Sequence, residues 1–71
     1  MMTRITEAEA QEKIQGRKPD EILCDYPDCK FYEWNLDDGL ITYSLGRNEE
    51  NGPLFTEWHL IDSKPIPRYL D

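Results

Sequence analysis

The sequence lacks the features that would place it in a membrane or among the common nucleotide- and metal-dependent enzymes. No stretch approaches the length of about 18 apolar residues that a membrane-spanning helix needs. Residues 1–7 lack the apolar core of a signal peptide. Glycine-rich phosphate loops, the G-x-S-x-G serine motif and the H-E-x-x-H zinc motif are all missing. We therefore expect a cytoplasmic protein that has no contact with the membrane.

The chain also has few residues from which to build a hydrophobic core. Its 71 residues leave room for one domain. A chain of this size buries roughly 60% of its unfolded surface, and its core supplies at most about 3–5 kcal/mol. So small a core seldom forms the desolvated cleft with converging polar groups that catalysis requires. We expect a protein that binds rather than an enzyme, and one that holds no cofactor.

Basic residues are scarce, with 8 lysines and arginines against 15 acids and a net charge of −7. Residues 1–18 carry a balance of +1, so residues 19–71 carry −8. Such an acidic segment repels phosphate backbones, and we expect no direct binding of nucleic acid. The acids are then either a solvated surface that favours solubility or a surface complementary to a basic partner.

Cysteine and histidine are scarce as well. Cys24 and Cys29 are the two cysteines, and His59 is the single histidine. In the cytoplasm we expect reduced thiols, with Cys24 as a small core residue and Cys29 in a turn. A structural zinc site needs four ligands, and these three residues would require an added carboxylate. A small metal- or thiol-dependent module built on them is an alternative hypothesis for function.

The first strong local signal is a helix near the N-terminus. Thr6 and Glu9 have the spacing of a capping box, in which each side chain bonds the backbone of the other residue. Gly16 is a typical residue just beyond a helix, and Pro19 prevents continuation. The pattern predicts a helix over about 7–15.

The next signal is apolar alternation with a period of two, which puts the alternate side chains on one face of a strand. It recurs in three segments, with the apolar positions Tyr32, Trp34, Leu36; Ile41, Tyr43, Leu45; and Leu54, Trp58, Leu60. Residues 21–26 add a possible first strand. The result is an α+β prediction, a short N-terminal helix followed by a three- to four-stranded antiparallel meander.

Turn residues constrain the register of these strands. Asp37-Asp38-Gly39 predicts a hairpin in which Trp34 lies opposite either Ile41 or Tyr43. Pro53 fits at the start of the last strand, where a missing N–H group costs least. In the possible first strand we expect Ile22, Cys24 and Tyr26 on one face, with Cys24 opposite Tyr32 after a connection over 27–29.

The last residues no longer alternate, and their prolines favour an extended chain. We therefore expect a single domain over 1–62 and an extended, proline-containing tail over 63–71.

The second face of the predicted sheet suggests a function. Its candidate binding residues combine two phenylalanines and an isoleucine with acids and a histidine: Phe31, Glu33, Phe55, Glu57, His59 and Ile61. Aromatic side chains with a polar rim are typical of protein-binding surfaces. Either this face binds a partner, or the helix or the tail covers it.

These observations predict a small acidic protein-binding module, acting as a regulator or inhibitor through contact with a basic partner surface. The metal- or thiol-dependent module is one alternative. A homodimer that joins through the second sheet face is the other.

Overall fold

A computed structural model describes residues 1–37 and 39–62 and contains a five-stranded antiparallel sheet with one helix. The elements in chain order are β1 Met2–Ile5, α1 Glu7–Ile14, β2 Glu21–Tyr26, β3 Cys29–Asn35, β4 Leu40–Gly46 and β5 Phe55–Ile61. The strand order across the sheet is β1-β5-β4-β3-β2. The α+β class is confirmed, but the predicted strand count was too low. The predicted tail at 63–71 lies outside the described residues.

Helix α1 begins with the predicted capping box. The Thr6 hydroxyl accepts a hydrogen bond from the Glu9 amide at 3.1 Å, and Glu9 Oε1 accepts one from the Thr6 amide at 3.3 Å. At the other end Gln15 and Gly16 both have positive φ, which ends the helix within one residue of the predicted position. No helix in the described part of the chain is both long enough and apolar enough to cross a membrane.

Strand β1 was not predicted. It pairs antiparallel with β5, so that Ile5 lies opposite Trp58 and Met2 opposite Ile61. The strand has four residues, and only Ile5 is partly buried. Backbone hydrogen bonds to β5 hold this edge strand in place. It therefore needs no apolar alternation, which is the sequence pattern by which strands are predicted.

Strands β3 and β4 pair in the first of the two predicted registers, and β5 pairs antiparallel with β4. Trp34 lies opposite Ile41, and Tyr43 opposite Trp58. The Leu36 amide donates to the Gly39 carbonyl at 2.9 Å, which extends the β3–β4 ladder towards the turn. A Cβ atom at Gly39 would collide with the Ile61 carbonyl oxygen, so the approach of β4 to the end of β5 requires glycine here.

The core lies between α1 and one face of the sheet. Its buried side chains are Ala10, Ile14, Trp34, Ile41 and Trp58, with Ile5, Tyr32, Leu36, Tyr43 and Leu60 packed against them. The predicted core face of β3, β4 and β5 is therefore confirmed, although Leu45 at the end of β4 is not part of this core. Leu54 is an error in that prediction: it precedes β5 and is 42% exposed.

The predicted face of β2 was also wrong. The register shifts between Ile22, which lies opposite Tyr32, and Cys24, which lies opposite Phe31 rather than Tyr32. A β-bulge inserts one extra residue, so the two side chains project from opposite faces of the sheet. Tyr26 is exposed and lies opposite Cys29, which is the first residue of β3 and not a turn residue.

Candidate functional site

The six candidate binding residues lie on the sheet face opposite α1, which we call the open face. Pairing through β4 aligns them in rows, with Phe31, Ser44 and Glu57 in one row. Glu33, Thr42 and His59 form the next row. Phe55 lies opposite Gly46, and Ile61 opposite Leu40. All six are partly buried, and Phe55 lines a small pocket together with residues 48–53 of the β4–β5 loop. No helix among residues 1–37 and 39–62 covers them.

The central strand of the open face begins with Leu40 and then carries small side chains. Thr42, Ser44 and Gly46 follow one another along β4, while the larger candidate side chains stand on β3 and β5 at either side. A Cβ atom at Gly46 would meet no other atom within 4 Å. Thr42 is buried between its neighbours, so the open face forms a shallow trough only towards Ser44 and Gly46, with aromatic and acidic side chains on its flanks.

Both signs of charge occur on the open face, with acids in excess. Glu57 Oε2 lies 3.5 Å from His59 Nε2, so this acid is already beside a potential cation. Glu33 lies opposite Glu21 on one side, and Arg4 lies opposite His59 on the other. The acidic side of the trough is therefore the side towards β2.

The other face has a groove that the sequence did not predict. It has a volume of about 370 Å³ and is lined by α1 residues Glu7 and Gln11, by Pro19 and Lys30, and by the aromatic residues Tyr32, Trp34, Tyr43 and Trp58. Tyr43 and Trp58 have ring centroids 4.7 Å apart, and Trp34 and Trp58 5.7 Å apart. The eight-residue α1 is too short to cover all four rings. The sequence does contain a signal for this groove: the predicted helix is too short to cover the aromatic residues of three strands.

A charged cluster lies beside the groove, where β2 meets β3. The Tyr32 hydroxyl donates to Asp25 Oδ1 at 2.7 Å, and Lys30 Nζ lies 3.3 Å from the same oxygen. The hydrogen bond from Tyr32, with a further one from Lys30, lowers the pKa of Asp25. The same contacts with Asp25 raise the pKa of Lys30 and of Tyr32. The cluster joins the two strands at neutral pH, with the carboxylate ionised.

The two thiols approach each other on the β2–β3 hairpin. Cys24 Sγ lies 3.0 Å from Cys29 Sγ and 3.2 Å from the Cys29 carbonyl oxygen. The hydrogen bond with Cys29, followed by partial desolvation, raises the pKa of Cys24. His59 is on β5, separated from β2 by both β3 and β4. Three strand spacings amount to about 14 Å. The structure therefore does not bring Cys24, Cys29 and His59 together in one site.

Comparison with family models, with curated proteins and with solved structures finds no significant match.

Proposed function

We propose that this chain is a protein-binding domain that regulates or inhibits a basic partner through its open face. The observation that carries the proposal is the placement of Phe31 and Phe55 on a sheet face to which the described part of the chain contributes no covering layer. Carboxylates lie on the same face, so an apolar centre and a charged rim occur together. We propose contact alone, with no chemistry catalysed by this domain.

The shape of the open face supports binding of a projecting partner segment. Small side chains at Ser44 and Gly46 leave room over this end of β4, where a Cβ atom placed on Gly46 would meet no atom beyond its chain neighbours within 4 Å. Phe31 and Phe55 stand on either side of this strand. An apolar side chain of a partner could lie between them, which is the arrangement of a buried hot spot surrounded by a polar rim.

The charge of the protein supports a basic partner. The net charge is −7, and Glu33 and Glu57 belong to the open face itself. Opposite charges steer the encounter of two proteins, so the acids should act mainly on the association rate. The buried aromatic contacts should act mainly on the dissociation rate.

The test compares two neighbouring residues of very different placement. Phe55 lies on the open face in β5, whereas Leu54 precedes the strand and is 42% exposed. Immobilised wild type, Phe55→Ala and Leu54→Ala would be exposed to an extract of the native host, and captured proteins quantified by mass spectrometry. We expect a partner that wild type and Leu54→Ala retain equally and that Phe55→Ala loses.

The purified pair then gives the rate constants. We expect Phe55→Ala to raise the dissociation rate and weaken binding by about 2 kcal/mol, the size typical of a hot spot. Exchange of Glu33 and Glu57 for glutamine should slow association. Salt should do the same, because exposed charges are screened over about 8–10 Å at physiological ionic strength. Salt-independent binding with no loss in Phe55→Ala would contradict the proposal.

Self-association is the alternative use of the same face. If wild type sediments as a dimer and Phe55→Ala as a monomer, the open face is an interface between two copies of this chain, and the regulatory proposal fails.

A further inference from the structure

We propose that Cys24 and Cys29 form a reversible dithiol–disulfide site, which the folded β2–β3 hairpin holds ready for exchange with low-molecular-mass disulfides such as oxidised glutathione. The inference is independent of the proposed partner binding. It rests on the distance between the two sulfur atoms, on the face from which they project and on the bulge in β2.

The distance between the thiols is the first observation. The Sγ atoms are 3.0 Å apart. A disulfide bond has a length of about 2.05 Å, so the two sulfur atoms need to approach by about 1 Å for the bond to form. The two residues belong to strands joined by Pro27 and Asp28, and the neighbouring pair Tyr26 and Cys29 already lie opposite each other. The fold thus brings the thiols together before any oxidant arrives.

The bulge decides that both thiols share a face. If the register of Ile22 continued without a shift, Cys24 would lie opposite Lys30 and project towards the side of α1. With the shift, Cys24 lies opposite Phe31. Cys29 precedes Phe31 by two residues and therefore projects from the same side of β3. Both sulfur atoms accordingly lie on the open face, where Cys29 is exposed and Cys24 is partly buried. An oxidant in solution can reach them.

The exchange follows two balanced steps. The thiolate of Cys29, the more exposed residue, attacks one sulfur of oxidised glutathione; the glutathione S–S bond breaks and one glutathione thiolate leaves and is protonated. Cys24, after losing its proton, then attacks Cys29 Sγ. The second glutathione thiolate leaves as the Cys24–Cys29 bond forms. Two electrons pass from the protein thiols to glutathione, and excess reduced glutathione reverses both steps.

The proximity of the cysteines in sequence would itself allow a disulfide in a flexible chain, so the test must isolate the contribution of the fold. Wild type would be equilibrated with reduced and oxidised glutathione at a series of ratios. After acid quenching and alkylation, mass spectrometry would count the free thiols, the glutathione adducts and the internal disulfide. The same titration on wild type in urea gives the unfolded reference.

We expect the folded chain to form the internal disulfide at least tenfold more favourably than the unfolded chain. By linkage the same factor, about 1.4 kcal/mol, is the stabilisation of the fold by the disulfide. Oxidised protein should therefore melt at a higher temperature than reduced protein. This second measurement does not depend on the choice of unfolded reference.

Two single variants serve as controls. Cys24→Ser and Cys29→Ser should each stop at one glutathione per chain, and neither should show a change of melting temperature on oxidation like that of wild type. The proposal is overturned if folded wild type carries mainly glutathione adducts or intermolecular disulfides. It is also overturned if the folded and unfolded chains oxidise equally, because the fold would then contribute nothing to the site.

Discussion

The two faces of the sheet are built in different ways. On the face towards α1, aromatic rings contact one another, and Trp34 Nε1 donates to the Arg17 carbonyl at 3.0 Å. On the open face the central strand carries Thr42, Ser44 and Gly46 after Leu40, and the two phenylalanines are held apart on β3 and β5. One face therefore concentrates apolar contact, and the other leaves space beside its aromatic side chains.

This difference indicates where the described fold obtains its stability. Within residues 1–37 and 39–62, the fully or almost fully buried apolar side chains all belong to α1 or to the sheet face that packs against it. Burial is what stabilises a small fold, at about 25 cal/mol per Å² of apolar surface. Substitutions on the open face should consequently affect binding more than folding, and each prediction below tests that division.

Trp34→Ala should have the largest effect. Trp34 is 6% exposed, and its removal leaves a cavity in the core and an unpaired Arg17 carbonyl. Loss of a buried tryptophan costs about 3–5 kcal/mol, which would leave most of this domain unfolded. Thermal or urea denaturation followed by circular dichroism measures the loss. Phe31→Ala, on the open face, should keep a cooperative transition. Equal losses in the two variants would show that both faces are covered.

Gly39, just before β4, and Gly46, the last residue of β4, form a matched pair for substitution. Gly39→Ala brings a Cβ atom against the backbone oxygen of Ile61, whereas Gly46→Ala adds one in open space on the open face. Overpacking against backbone costs about 1–3 kcal/mol, so we expect Gly39→Ala to lower the free energy of unfolding by that amount. Gly46→Ala should be neutral or slightly stabilising in the same denaturation experiment. A loss in Gly46→Ala would show that the trough is occupied.

Asp25→Asn should have a smaller effect that depends on pH. The contacts with Tyr32 and Lys30 lower the pKa of Asp25. The stabilisation by the Asp25 carboxylate is therefore present above the ordinary aspartate pKa of about 3.9 and is lost as the pH falls through the lowered pKa. The pKa values of Lys30 and Tyr32 are raised, so the stabilisation linked to these two groups is present below their ordinary pKa values near 10. It is lost as the pH rises through the raised values. In Asp25→Asn the free energy of unfolding, measured by urea denaturation, should therefore fall less than in wild type at both acidic and alkaline pH. A variant with the profile of wild type would show that the cluster does not contribute.

Removal of metal should have no effect. We expect purified protein to contain less than about a tenth of an equivalent of zinc, and a chelator to leave the melting temperature unchanged. Elemental analysis and thermal denaturation check the two parts. Stoichiometric zinc whose removal unfolds the chain would favour the alternative of a metal-dependent module, with Cys24 and Cys29 as its first ligands.

Part of the candidate site could be predicted from the sequence, because alternation acts within one strand. A period of two places Phe31 and Glu33 on one face of β3, and Glu57, His59 and Ile61 on one face of β5. The trough between them could not be predicted in the same way. It depends on which strand lies in the centre and on the register that sets its small side chains beside the phenylalanines.

The Thr6 and Glu9 spacing was enough to predict the start of α1, and apolar alternation was enough to predict the covered face of β3, β4 and β5. These signals are local: the residues involved are within a few positions of one another. The pairing of β1 with β5 and the bulge that turns Cys24 to the open face arise only in the folded chain. Edge pairing depends on backbone groups that every residue carries. A bulge depends on how the side chains of two paired strands pack together, which the sequence of either strand alone does not show.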